Sequence, residues 1–162
     1  MKTFRLPLSC QLFLAFVVAA LLASGVAEAR SAVPLKATIA IIESLGETGP
    51  CFLTGDISGT GQATHLGEVT LVSRDCIIPI SPTELRFSSS QLVLTAVNGD
   101  RIFAAYSGIF TIDGTVGLIS GDFIIIEGTG RFSQATGAGT VQGVEDMLTG
   151  IGQIQITGNI SY

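Results

Sequence analysis

The feature that most constrains the fold of this chain is the lack of any long stretch with a helical period. Beyond about residue 36, short runs of β-branched and aromatic residues alternate with turns rich in glycine, a residue that occurs 20 times. This alternation is typical of an all-β domain. The predicted strands are 38–44, 51–58, 63–73, 84–88, 91–97, 101–112, 118–127, 140–148 and 153–162. Because strand ends slip by ~2–4 residues, we expect these segments to form about eight real strands.

Two turns have explicit turn chemistry, Asn98-Gly99 and Asp113-Gly114. Both pairs tolerate positive φ and therefore predict two-residue turns of the kind that join hairpins. Hairpins that follow one another along the chain form an antiparallel meander, and closing the meander removes its exposed edges. The sequence therefore predicts a closed, calycin-like antiparallel barrel. The prolines at positions 50, 79 and 82 are predicted to lie in connections between strands.

The strands differ in how their two faces are composed. In the last one, Ile154, Ile156 and Ile160 share one face and polar residues share the other, which predicts one buried and one solvated side. Four segments are instead apolar on both faces: 39–42, 92–96, 102–106 and 123–126. Since a lone barrel buries only its inside, the outer apolar faces need a cover. Either a segment of the same chain packs there or, as we favour, copies of the chain form a homo-oligomer.

The N-terminal residues have the pattern of an export signal. Lys2 and Arg5 precede an apolar run at 12–23, and Ala27-Glu28-Ala29 places small residues where a signal peptidase cuts. The run is shorter than the roughly 20 residues of a membrane-spanning helix. We therefore predict a signal peptide at 1–29 and a single secreted or periplasmic domain at 30–162, with no stable membrane anchor after cleavage.

Charge and cysteine content limit the classes of partner and the kinds of site that we expect. The chain carries 8 basic and 13 acidic residues and has no basic cluster, so no nucleic-acid partner is expected. After cleavage Cys51 and Cys76 remain, and an even count in an oxidising compartment predicts a disulfide bond. A metal site that includes His65 between them has no C-x-x-C spacing and no second histidine in its favour. No metal and no cofactor are predicted.

Three segments carry a resemblance to a known group of proteins. They are 128–137, which reads Gly-Thr-Gly-Arg-Phe-Ser-Gln-Ala-Thr-Gly, 64–67, and 98–100. They resemble the small barrels grouped with allene oxide cyclases and dirigent proteins, in particular the bacterial exported members. The resemblance implies an eight-stranded antiparallel barrel, often a dimer or trimer, with an apolar cavity open at one end. In the first segment, Phe132 is expected to plug the barrel and Arg131 to reach solvent or pair with an acidic neighbour.

Few residues offer chemistry. His65 is the only histidine and could exchange a proton near neutral pH, but a structural hydrogen bond explains it more simply. Glu68 and Glu127 lie in predicted strands, where burial would raise a carboxyl pKa and exposure is the simpler alternative. Tyr106 could point its hydroxyl into a cavity or lie at a rim. None of the four matches a catalytic residue of the cyclases or dirigents. Asn159-Ile160-Ser161 fits a glycosylation acceptor, a pattern that also occurs by chance.

These observations lead to two functional hypotheses. The first is an exported barrel that binds a small apolar ligand or serves a structural role. The second is an isomerase or cyclase of the allene oxide cyclase type that acts on an unsaturated lipid or a polyketide-like substrate. A cavity with apolar walls and a few convergent polar groups would favour binding or catalysis, whereas a solidly packed interior would favour a structural role.

Overall fold

The computed structural model describes residues 31–46 and 50–162, so the predicted signal peptide lies outside the described residues. Eight strands follow in chain order, and each pairs antiparallel with the next. The strands are β1 Val33–Gly46, β2 Leu53–Ala63, β3 Gly67–Ser81, β4 Glu84–Ala96, β5 Arg101–Asp113, β6 Val116–Gly128, β7 Thr136–Asp146 and β8 Ile151–Ser161. Because β8 also pairs with β1, the sheet closes into a barrel. The predicted all-β meander barrel is confirmed.

Two predictions about β3 and β4 were wrong in detail. Segments 84–88 and 91–97 form one strand, β4, whose pairing with β5 shifts register between Ser89 and Leu92. The polar serines at this bulge resemble a turn in the sequence. Pro79 lies inside β3, opposite Leu85, rather than in a connection. Its position beside a second register shift explains why a residue without an amide hydrogen is tolerated there.

The two predicted turns are present, with a different extent. The Asn98-Gly99 turn belongs to a four-residue connection between β4 and β5, in which the Asn98 side chain accepts a hydrogen bond from the Asp100 amide at 3.1 Å. At the other turn, Asp113 already pairs with Val116. The two-residue loop is therefore Gly114-Thr115, and Gly114 has the positive φ of 64°.

The barrel interior is filled by pairing large residues with glycines on neighbouring strands. Ile154, Ile156 and Ile160 point inward and are buried, as their alternation predicts. The Phe110 ring lies across Gly117, where a Cβ would overlap it, and Phe87 covers Gly108 in the same way. Alternation of large and small inward residues allows side chains to fill the tapering interior of a small barrel.

One end of the barrel is closed by Phe132. A short 3-10 helix between β6 and β7, Gly130–Phe132, carries this side chain, which is fully buried and lies 4.8 Å from the Tyr162 ring. Arg131 stacks over the Phe132 ring at 4.8 Å and forms an ion pair with Asp100 at 3.6 Å. The predicted plug is confirmed, and of the two alternatives for Arg131 the structure shows the pairing with an acidic neighbour.

The opposite end is held by the predicted disulfide between Cys51 and Cys76, whose Cα atoms are 5.3 Å apart. The bond links the chain just before β2 to β3 and closes a separation of 25 residues. Restricting the unfolded chain in this way stabilises the fold by about 3 kcal/mol. The mouth of the barrel is therefore covalently fixed on one side.

Candidate functional site: a cavity lined with carboxyl groups

The barrel contains a cavity of about 100 Å³ between its packed core and its open end. The walls are mostly aliphatic and aromatic side chains contributed by all eight strands. Its apolar lining residues are Ile41, Leu45, Leu53, Ile57, Leu71, Ile77, Leu85, Phe87, Leu92, Phe110, Ile119, Val141, Met147 and Ile154. The cavity combines apolar walls with the small number of polar groups that marks a ligand site.

Three carboxyl groups and one phenol project into this cavity. They belong to Glu43 of β1, Asp75 of β3, Glu145 of β7 and Tyr106 of β5. Each occupies an inward position because side chains alternate along a strand. Glu43 follows Ile41 by two residues and Glu145 follows Val141 by four, and both of these apolar residues line the same cavity. Strand register therefore fixes the four polar groups on the inside.

Two glycines provide the space that these carboxyl groups occupy. Gly55 of β2 pairs with Asp75, and a Cβ at Gly55 would overlap the Glu43 carboxyl group. Gly152 of β8 pairs with Glu145 on one side and Ile41 on the other. Because neither residue has a side chain, acidic groups from β1, β3 and β7 can approach one another across β2 and β8.

The Glu43 and Glu145 carboxyl groups interact directly through a hydrogen bond. Burial, the neighbouring Glu145 and the charge of Asp75 together raise the pKa of Glu43 to about 8. Burial also raises the pKa of Glu145, and the hydrogen bond with Glu43 partly offsets this rise. Two carboxyl groups this close cannot both ionise readily, so the pair retains a proton at neutral pH.

Asp75 is held by a separate set of neutral donors. Tyr106 donates a hydrogen bond to the Asp75 carboxylate, and the Ser73 hydroxyl lies 3.3 Å from the same oxygen. Burial raises the pKa of Asp75 to about 6, and these two hydrogen bonds limit the rise. Burial and the charge of Asp75 raise the pKa of Tyr106 well above its usual value. Tyr106 therefore acts as a fixed hydrogen-bond donor.

Hydrogen bonds continue from Asp75 through the barrel wall. The Ser73 hydroxyl lies 3.2 Å from that of Ser89, which donates to the carbonyl of Arg74 at 2.7 Å. This occurs where the β3–β4 pairing is interrupted between Val72 and Cys76. Asp75 also lines an outer groove formed with the polar segment 88–91.

The structure separates the residues that the sequence singled out. Tyr106 lines the cavity, whereas Glu68 and Glu127 are exposed on the outside of the barrel. His65 lies in the turn between β2 and β3 at the closed end, not in a strand as predicted from 63–73. Its Nε2 lies 3.0 Å from the Pro34 carbonyl oxygen, and its φ is 67°. The core around Phe132 separates it from the cavity.

The turn that contains His65 is fixed by its neighbour Thr64. The Thr64 amide donates to the Lys36 carbonyl at 2.8 Å, and its hydroxyl accepts from the Lys36 amide at 2.9 Å. Because Thr64 is bonded to β1 in this way, β2 ends directly before Thr64 and two residues before His65. Such long-range bonds have no signature in the local sequence.

The acidic residues of the cavity, Glu43, Asp75 and Glu145, were not predicted from the sequence. A usable signal was present, because Glu43 continues the inward alternation of Ile39 and Ile41, and Asp75 continues that of Val69 and Leu71. A charged residue on an inward face is the observation to seek in a barrel sequence.

No protein-family model matches this chain, and neither a curated protein nor a solved structure gives a significant match. Within residues 31–46 and 50–162, no helix has the length and apolar character needed to cross a membrane. In the same part of the chain, no three His, Cys, Asp or Glu side chains are grouped as a metal site.

Proposed function

We propose that this protein is an exported barrel that binds a small, mainly apolar molecule in the cavity at its open end. The observation that carries the proposal is the contrast between the two ends. Phe132 packs one end tightly, while beyond Leu71 and Val141 the apolar interior is left as a cavity. A purely structural barrel would fill this volume, because protein interiors pack like organic crystals. The disulfide is consistent with export to an oxidising compartment.

The cavity sets the size of the ligand. Its volume of about 100 Å³ is somewhat smaller than that of an engineered cavity of about 150 Å³ that accepts benzene. We therefore take a body of about six carbon atoms as the upper limit, with one end of the ligand at the open mouth. The ligand would then place its polar end beside the carboxyl groups and its apolar end against Leu71, Val141 and Ile154.

An isomerase or cyclase function is the second candidate. Carboxyl groups that keep protons near neutral pH can act as general acids, and Glu43 and Asp75 both have raised pKa values within apolar walls. An eight-stranded barrel with an apolar cavity open at one end also agrees with the resemblance to allene oxide cyclases and dirigent proteins. Membership of that group is part of this second proposal.

Binding of 1-hexanol tests the proposed function. We expect saturable shifts of the amide resonances of residues that line the cavity, with a Kd of about 1 mM or tighter for a ligand of this size. Ile119→Phe replaces an aliphatic side chain of the cavity wall with a larger aromatic one and should weaken binding at least tenfold. The matched control, Ile78→Phe, makes the same change at an exposed position of the outer wall. His65→Gln, at the closed end, should also leave the Kd unchanged within twofold.

The proposal fails if 1-hexanol causes no saturable shifts. It also fails if Ile119→Phe binds as well as the unmodified protein, since the ligand would then lie elsewhere. Equal weakening by Ile78→Phe would move the site to the outer wall.

We also propose that a second copy of the chain covers part of the outer wall. Val72 pairs with Val93, and Val93 pairs with Phe103, so one apolar row crosses three strands. Ala105 pairs with Ile124 to extend the patch onto β6. The side chains of Val72 and Ile124 are more than half exposed, at 58% and 55%. A continuous apolar patch of this kind marks an interface between proteins.

Sedimentation velocity at micromolar concentration tests this interface. We expect an oligomer, and Ile124→Asp should shift it to monomer because a charge would be buried between subunits. Ser120→Asp, on the same strand but outside the patch, should leave the assembly intact. A monomeric unmodified protein would contradict the proposal.

A further inference from the structure

The polar lining of the cavity has only one sign of charge. Three of its residues are acidic, one is Tyr106, and no described lining residue is Lys, Arg or His. Arg74, the basic residue next to Asp75 in sequence, points outward and pairs with Asp56 at 2.6 Å. Asp75 is 4% exposed, and the groups that hydrogen-bond to its carboxylate are neutral hydroxyls. Burying carboxyl groups without a positive partner is costly. The cavity therefore has a place for a positive charge that no described lining side chain supplies.

We propose that the ligand of this cavity is a primary amine, or a similar small organic cation, whose ammonium group binds the paired carboxyl groups of Glu43 and Glu145 near Asp75 and whose apolar body fills the space beneath them. This inference rests on the proposed function, because it names the chemical class of the ligand for the same site. Two independent observations support it: an apolar cavity that side chains leave unfilled, and buried acidic groups that no basic lining side chain neutralises within the described residues.

The arrangement of the acidic groups suits an ammonium group. Glu43 and Glu145 meet across β8, and Asp75 approaches Glu43 from the other side across Gly55. Within the described residues, the titratable groups that face Glu43 are therefore Asp75 of β3, Tyr106 of β5 and Glu145 of β7, while β2 and β8 present glycines. An ammonium group has three donors and no acceptor, which matches a site made of carboxylate acceptors.

Other ligand classes fit the same cavity less well. A carboxylic acid would bring a further negative charge to a site where Glu43 and Glu145 already share a proton. An alcohol would gain hydrogen bonds but would not neutralise the acidic groups. An amine would form hydrogen bonds and also neutralise the acidic groups, and its positive charge allows the carboxyl groups to ionise. Its affinity should therefore increase as the pH rises from 5.5 to 8.

Three ligands with the same six-carbon chain separate these classes: n-hexylamine, 1-hexanol and hexanoate. Their Kd values are measured by amide chemical-shift titration at pH 8 and pH 5.5. At pH 8 we expect the amine to bind at least tenfold more tightly than the alcohol, and hexanoate to bind more weakly than the alcohol. At pH 5.5 the advantage of the amine should fall to about threefold or less, because Glu43 is then protonated.

Substitutions test whether the carboxyl groups cause the preference for the amine over the alcohol. In Glu43→Gln/Glu145→Gln the ratio of the two Kd values, alcohol to amine, should fall to less than about threefold at pH 8. Glu127→Gln, which removes an exposed carboxyl group from the outer wall, should keep the ratio at tenfold or more. If the double variant does not fold, Glu145→Gln and the pH series on the unmodified protein provide the same comparison.

Each remaining outcome is decisive. Equal affinity for amine and alcohol at pH 8 would overturn the amine assignment and leave the proposed function standing. If none of the three ligands binds, both fail. Saturable shifts of the same resonances with Ca²⁺ alone at sub-millimolar concentration, without a preference for the amine, would replace the amine with a metal ion.

Discussion

Replacing Phe132 by alanine is expected to lower the free energy of unfolding by about 3–5 kcal/mol. The Phe132 side chain has no exposed surface and contacts Tyr162 across the closed end of the barrel. Its removal leaves a cavity that the surrounding strands cannot close, because their ladders hold them in register. The loss is measured by chemical denaturation with the disulfide intact.

Phe52→Ala is the matched control for this prediction. It makes the same chemical change at a side chain that is 63% exposed, near the opposite end of the barrel. We expect a change of about 0.5 kcal/mol or less. A loss at Phe132 of less than about 1 kcal/mol would show that the closed end does not depend on this plug.

The stability of the fold is expected to decrease as the pH rises from 5 to 8, by about 3–5 kcal/mol in the free energy of unfolding. Folding raises the pKa of Glu43 from 4.5 to about 8 and that of Asp75 from 3.8 to about 6. In this range the unfolded chain has released protons that the folded protein still binds, so each increase in pH favours the unfolded state. The stabilisation is complete below the unfolded pKa values and is lost as the pH rises through the folded ones.

Glu43→Gln should remove most of this pH dependence, because the amide cannot ionise. Glu68→Gln, at an exposed position, should preserve it. The measurement is a series of denaturant unfolding curves between pH 5 and pH 8. Stability that is constant or increases across this range in the unmodified protein would contradict the burial of the carboxyl groups.

The fold could be predicted from the sequence because its signals are local. The alternation of Ile154, Ile156 and Ile160 with polar residues appears in the structure as an inward and an outward face. The meander order followed from turn residues such as Gly114, whose positive φ suits a tight hairpin loop. The disulfide followed from the cysteine count.

What could not be predicted depends on contacts between distant residues. The bulge near Ser89 resembles a break between strands until its pairing with β5 is known. The turn at His65 is set by bonds from Thr64 to Lys36, 28 residues away. Both errors arise where tertiary pairing overrides the local pattern.

The candidate site was predicted only through Tyr106. Its carboxyl groups were missed because an acidic residue in a strand is normally assigned to the solvated face. Glu43 and Glu145 have room on the inward face because Gly55 and Gly152 beside them lack side chains, and the pairing between strands is needed to see this. The cavity also requires the register of all eight strands.

The central claim is that the interior of the open end, not the outer wall, receives the ligand. Intermolecular nuclear Overhauser effects between bound 1-hexanol and protein methyl groups test it most directly. We predict contacts from the terminal methyl group of hexanol to Leu71, Val141 and Ile154, which line the cavity. Contacts only to exposed residues of the outer wall, such as Val72 and Ile124, would contradict the claim.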